Sequence, residues 1–310
     1  MILIAALIVL AVAAGLWAEH RHADQSRRMA HQSLSLMLYL IVPLIIFLST
    51  VGLKFTTNIA GGIGLAILAV AVVGVIAWLV ARGPLRLDRP STGSVIASTI
   101  QVNSAFLGLP VTAALLGSGV IAEAAVYDAL VSAPVLLIGV FGVGAAFGSS
   151  AGVGSGKRIR SFLLRNPPLY AVIAGLLAPK WMAPTVLVDA SHILVYALIP
   201  LSFFAVGVIL ATEAQEGSAA FPPPLSRPIL TVLVLRLAVA PALLFLIAAP
   251  LIHLPHAYLL QSAMATGITA LIVGHAYGLN LRIIAGAIVW STAIMLTVGI
   301  VAQYLVPLFT

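Results

Sequence analysis

The chain has no cysteine at all and very little charge: eight acidic and fifteen basic side chains make up 7% of its 310 residues. The first absence excludes disulfides, thiolate nucleophiles and Cys-ligated metals. The second excludes a water-facing surface, because so few charges cannot coat a domain of this length. With hydrophobic residues at 62% and a mean hydropathy of +1.19, the chain is read as an integral membrane protein whose surroundings are the lipid bilayer. A third absence is the alternation of apolar and polar residues that a membrane β-barrel requires. The apolar runs are instead long, continuous and rich in Leu, Ala, Val and Gly, so an all-α membrane protein is expected. The net charge of +7 comes from bases scattered in short loops, which sets topology and gives no stripe for nucleic acid.

Apolar runs bounded by charge, Pro and Gly predict ten transmembrane helices, at residues 1–18, 31–53, 60–81, 92–116, 122–147, 166–179, 187–211, 228–250, 257–279 and 283–308. The first is taken as a retained helix, since no Lys or Arg precedes it. With alternating loops, Arg21, Arg27, Arg28, Arg82, Arg86, Arg89, Lys157, Arg158, Arg160, Arg165, Arg227 and Arg282 share one side, against Lys54 and Lys180 on the other. The positive-inside rule makes the first side cytoplasmic and leaves both termini outside a plasma or inner membrane.

Two stretches match at a fixed offset. Tyr39, Pro43, Leu44 and Phe47 recur as Tyr196, Pro200, Leu201 and Phe204, each 157 residues on. Five spans per half, an odd number, make the two copies inverted: residues 1–147 form one repeat and 166–310 the other, with 148–165 as a Gly/Ser-rich, then basic, cytoplasmic linker. Inverted repeats of this kind build secondary carriers with the substrate site at midplane.

Candidate site residues lie at that depth. Span 4 carries Gln101, Asn103 and Ser104, then Gly108 and Pro110, where the missing donor of proline predicts a broken helix. A kinked helix whose Asn and Ser bond neighbouring helices is the plainer alternative. Span 9 places Gln261 and Ser262 against Asn103 and Ser104 at an offset of 158, with Thr266, Gly267 and Thr269 following. Two broken helices crossing there would aim helix N-termini, with their positive dipole ends, at a carboxylate.

The segments NSAFLGLP at 103–110, YDAL at 127–130, NPPLYAVIAGLL at 166–177, IPLSFFAVGVIL at 199–210, Arg236 to Pro241 and GHAYGLN ending span 9 together resemble the auxin efflux carrier family, within the superfamily of bile acid sodium symporters. The resemblance implies an elevator-type carrier and a homodimer. Spans 1, 2, 6 and 7 would form a scaffold, and spans 3–5 and 8–10 a transport domain with crossed spans 4 and 9. One departure stands out: Ala265 follows Met264 where family members often have proline, and Thr269 stands where an asparagine is expected.

Charges within spans are functional candidates. Arg236 could attract an anion, hold the charge balance of the site, or snorkel toward Glu213 or Glu216. Asp128, at the family's acidic position, could carry a proton, whereas Glu123 reads as a headgroup-level charge. His275 is the one histidine beside the expected site, and Trp290 is a candidate for packing or for a flat substrate. An enzyme is not expected, since no Ser-His pair, Asp pair or H-E-x-x-H helix is present. Scattered histidines give no metal site and no cofactor is implied. The expected function is transport of a small organic anion, a carboxylate, coupled to protons or driven by membrane potential; the alternatives are a sodium-coupled symporter and a channel.

Overall fold

The structure is a computed structural model, and it describes residues 1–149, 167–215 and 223–305. Most of the expected linker at 148–165, with Lys157, Arg158, Arg160 and Arg165, lies outside these residues, as do Glu216 and the side chain of Glu213. The described residues are helical with no β-strand; the single extended pairing is an antiparallel bridge between Val102 and Thr266. Six helical stretches among them are long and apolar enough to cross a membrane: Ile2–Thr50, Thr57–Arg82, Ser118–Phe147, Thr185–Thr212, Arg227–Ala248 and Leu281–Tyr304.

The first of these corrects the expected loop between spans 1 and 2. The loop is shortened to a kink at His22 within α1 (Ile2–Leu36), helical on both sides of it, and α1 continues by a π-helical turn, Met37–Ile41, into α2 (Val42–Thr50). The interruption is one residue, His22, at φ −145° and ψ 60°. Gly15 lies against Phe204 and Val208 of α9 (Thr185–Gln215), and Ala30 packs on Ala205 and Val208 of the same helix. Residues on either side of His22 thus meet one short stretch of α9, which requires the chain to double back. Neither Gly nor Pro occurs between Leu16 and Val42, so nothing in the sequence interrupts helix formation there. The turn is stapled by Glu19, buried although charged, which accepts from Ser26 Oγ at 2.5 Å, Arg27 Nε at 2.7 Å and Thr212 Oγ1 at 3.1 Å. Where α1 crosses α9, Gly15 and Gly207 face each other, and a Cβ built on Gly207 would lie 3.0 Å from Gly15 Cα. Small residues let the two backbones approach this closely.

The remaining helices are α3 (Thr57–Arg82), α4 (Arg89–Ile100), α5 (Leu109–Leu116), α6 (Ile121–Tyr127), α7 (Phe141–Phe147), α8 (Pro167–Leu177), α10 (Arg227–Val234), α11 (Ala240–Ala248), α12 (His256–Ser262), α13 (Thr269–Tyr277) and α14 (Leu281–Leu305). Every residue of α4 from Ser91 to Ile100 is buried. Two of its hydroxyls bond back along the helix, Thr92 to Asp88 O at 2.8 Å and Ser94 to Pro90 O at 3.0 Å, while Asp88 caps the N-terminus by accepting from Ser91 N, and the Ser98 and Thr99 hydroxyls are buried without a partner. Those internal partners lower the cost of burying Thr92 and Ser94 in an apolar interior.

Prolines shape the helices in an unforeseen way. Four of the five π-helical turns among the described residues each end two residues before a proline: Met37–Ile41 before Pro43, Ser104–Gly108 before Pro110, Asp128–Ser132 before Pro134, and Leu235–Val239 before Pro241, the fifth being Val135–Val140. Proline brings no N–H and its ring crowds the carbonyl four residues back; a wider turn immediately before it gives that carbonyl room. Pro110 therefore widens span 4 without breaking it, contrary to the expectation from the Gly-x-Pro motif.

Candidate functional site: a crossing of two interrupted helices

The break in the fourth span falls earlier, at residues 101–103, between the end of α4 and the π turn Ser104–Gly108 that leads into α5. Gln101 is extended, at φ −86° and ψ 115°. Span 9 is broken over residues 263–268, between α12 and α13, with no proline present. The two extended segments run antiparallel across each other. Asn103 N donates to Ala265 O and Gly267 N donates to Gln101 O, both at 2.9 Å. Thr266 adds two further bonds, Oγ1 to Ser98 O and N to Ser291 Oγ, each at 3.0 Å. The crossing thus supplies partners for backbone groups that would otherwise be orphaned in an apolar interior. Gly267 is required by this approach: a Cβ there would stand 2.9 Å from both Val102 O and Gln101 Cγ.

Breaking both helices leaves two C-termini, of α4 and α12, and these converge on one side chain. Arg236 is fully buried and donates through Nη1 to Thr99 O at 3.0 Å and through Nη2 to Ser262 O. It is presented by the π turn Leu235–Val239. The guanidinium does not snorkel outward. Each helix C-terminus carries roughly half a negative charge, so two of them are together a counter-charge for one guanidinium.

The two new N-termini open elsewhere. A cavity of about 400 Å³ is lined at one by Ser104, Ala105 and Phe106 and at the other by Gly267, Ile268 and Thr269. Asp128 and Ser132, the first and last residues of one π turn, also line it. Ser104 Oγ donates to Asp128 Oδ1 at 2.5 Å. The rest of the lining is largely apolar and comes from Leu38 and Tyr39 of the π turn before α2, Val42 of α2, Pro167 and Pro168 of α8, and Leu136, Leu137 and Phe141 of the fifth span. N-terminal helix ends with their positive dipoles, a polar floor and an apolar roof form a place suited to an amphipathic anion.

Of the residues singled out from sequence, Gln101, Asn103, Ser104, Thr269 and Asp128 line this cavity. Asn103 Nδ2 and Gln101 Oε1 are buried without a hydrogen-bond partner. Thr266 and Ser262 lie behind the wall, one holding the crossing and the other lending its carbonyl to Arg236. Gln261 is buried against Gly108, where its Oε1 occupies the space a Cβ would need, and its Nε2 lies 3.5 Å from Thr112 Oγ1. Gly108 is thus a packing glycine, and Pro110 is buried in the first turn of α5. His275 is exposed in the last turn of α13, outside the cavity lining. Trp290 donates from Nε1 to Pro223 O at 3.0 Å, a packing role.

Sequence reasoning missed Ser132, Ser98, Thr99 and the wall from α2 and α8. Ser132 was findable, since it follows Asp128 by four residues and shares its helix face. The others depend on contacts between distant segments.

Residues 157–301 match the family described as membrane transport protein. An uncharacterized transporter of Methanocaldococcus jannaschii is 24% identical over 281 residues, 85% of this chain and 85% of that protein. An uncharacterized transporter of Methanothermobacter thermautotrophicus is 32% identical over 150 residues, 47% of each chain. These comparisons agree with the resemblance carried by the motifs quoted above.

Proposed function

We propose that the chain, whose second half matches the membrane transport protein family and which is similar to archaeal transporters, is a secondary carrier of a small organic anion, a carboxylate, working by an elevator-like shift. The observation that carries this reading is the division of charge at the crossing. Both half-helix C-termini are tied off by Arg236, while both N-termini face a cavity of about 400 Å³. A carboxylate entering that cavity meets the positive ends of two helices and a mostly apolar wall for its body.

The proposed architecture is ten spans in two inverted five-span repeats, residues 1–147 and 166–310. Spans 1, 2, 6 and 7 form the scaffold of a homodimer, and spans 3–5 and 8–10 the moving part. The cavity lining supports this division, since Leu38, Tyr39, Val42, Pro167 and Pro168 belong to scaffold spans and Gln101, Asn103, Ser104, Asp128, Ser132 and Thr269 to moving ones. The protein would reside in the plasma or inner membrane with both termini outside.

Asp128 supplies the proposed coupling. Its carboxyl already occupies the N-terminal end at Ser104, so an incoming anion and an ionised Asp128 compete for the same positive field. Taking up a proton with the anion removes that competition, and uniport driven by membrane potential is the alternative. The test is flux in proteoliposomes with proton and sodium gradients imposed separately, using a carboxylate found by thermal-shift screening of the purified protein. Asn103→Ala is expected to lower flux at least tenfold while the protein stays folded. Unchanged flux would remove Asn103 from the site, and stabilisation by neutral or cationic compounds alone would overturn the anion reading.

A further inference from the structure

We propose that Arg236 is a tethered cation that permanently fills the seat a coupling metal ion would take at the crossing. This rests on the carrier reading above and concerns the same pair of helices. In carriers built from broken helices, the freed carbonyls and the half-helix C-terminal ends are the groups that coordinate a transported cation. In this chain those ends belong to α4 and α12, and one guanidinium spans them, Nη1 on Thr99 O at 3.0 Å and Nη2 on Ser262 O.

Three further observations fit a cation seat better than a substrate contact. Arg236 is 0% exposed and does not line the cavity, so it does not meet an anion there. No described carboxylate lies within ion-pair distance of it, which leaves the helix ends as its counter-charge. A buried cation without a negative partner would be unstable, and two half-charges of helix dipole supply one. The fork geometry adds a mechanical consequence. Two nitrogens of one rigid plane hold carbonyls of two different half-helices, so the guanidinium sets their separation as well as their charge; an ammonium supplies charge without the fork. A carrier with its seat filled in this way has no vacancy for sodium at the crossing, and the crossing moves as a pre-neutralised unit.

The test uses the purified protein and its Arg236→Ala and Arg236→Lys variants, with potassium as the only metal cation at the start. Thermal unfolding is followed while sodium chloride, potassium chloride or guanidinium chloride is added at equal ionic strength to about 20 mM. Wild type is expected to respond identically to sodium and potassium. Arg236→Ala is expected to melt earlier and to recover half or more of the loss with guanidinium or sodium, and Arg236→Lys to fall between the two. A stabilisation of wild type specific to sodium overturns the proposal, and so does an Arg236→Ala protein as stable as wild type and indifferent to guanidinium. If Arg236→Ala cannot be recovered folded, the sodium response of wild type and the position of Arg236→Lys decide: a sodium-specific shift, or a lysine variant equal to wild type, sinks the idea. Failure of the carboxylate reading shows differently, as no response of wild type to the carboxylate library in the same assay.

Discussion

The two interruptions at the crossing reach one outcome from different sequences. The first lies over three residues, Gln101 to Asn103, with a proline seven residues beyond it. The second lies over six, Ala263 to Ile268, with no proline in it. Both end a helix in a carbonyl bound by Arg236 and begin another at the cavity. Since the longer break is the one without a proline, proline is not what breaks these helices. What they share is each other: the bonds Asn103 N to Ala265 O and Gly267 N to Gln101 O give each interrupted backbone one donor and one acceptor partner on the other. The interruption is therefore a tertiary feature, made by pairing, and neither half makes it alone.

The severest way to break this symmetry is to block the pairing itself. Gly267→Val puts a branched side chain where a Cβ already stands 2.9 Å from Val102 O, which belongs to backbone and cannot swing aside. The expected cost is about 2–3 kcal/mol, as for overpacking against a rigid neighbour, with loss of ligand-induced stabilisation. Thermal unfolding with and without the bound carboxylate measures both. A variant that keeps wild-type stability and ligand response would show that the two segments do not need to meet as closely as they do.

This also explains what could be read from the sequence. The apolar runs located spans 3, 5, 7, 8 and 10, because long uninterrupted hydrophobic stretches are governed by the bilayer and not by neighbours. The polar residues at 101–104 marked the right place for the first break. The Gly-x-Pro after them misdirected its position, because a local rule about proline was applied where a π turn absorbs the ring. The turn at His22 carries no local signal, being held by Glu19, Ser26, Arg27 and Thr212 across two helices. Arg236 announced itself as a buried charge, but its partners are carbonyls of residues 137 and 26 positions away. No periodicity contains such pairs. Asn103 and Ser104 stood out as candidates because polar residues at midplane depth are rare enough to be informative, whereas Asp128 stood out as a charge within a span.

The two N-termini at the cavity differ as well, and a second substitution sharpens that difference. Only the end at Ser104 has a carboxyl beside it, through the 2.5 Å bond to Asp128, while the end at Thr269 has none in the cavity lining. Asp128→Asn removes the competing negative charge and leaves a side chain of nearly the same shape. Carboxylate binding is expected to tighten by about 1.5 kcal/mol, the scale of one hydrogen bond involving a charged group, and flux to lose its response to an imposed proton gradient. Ligand titration by thermal shift and gradient-driven uptake read the two effects separately. Weaker carboxylate binding in the variant would mean that Asp128 assists the anion, and the coupling proposal would fall.

The smallest effect is expected from making the two interruptions look more alike in sequence. Ala265→Pro introduces the residue that the resemblance to auxin efflux carriers leads one to expect after Met264. If proline caused the break, the substitution should stabilise span 9 in its interrupted form substantially. If pairing causes it, little should change: among the described residues the Ala265 N–H makes no hydrogen bond that proline would remove, and the Ala265 carbonyl, which accepts from Asn103, is retained. The net change is expected to stay within about 1 kcal/mol, combining the restriction of the unfolded chain with the fit of a larger ring at a fully buried position. Thermal unfolding of the variant beside Gly267→Val places both on one scale. A gain well beyond that range would return the cause of the interruption to proline and make the paired backbone its consequence.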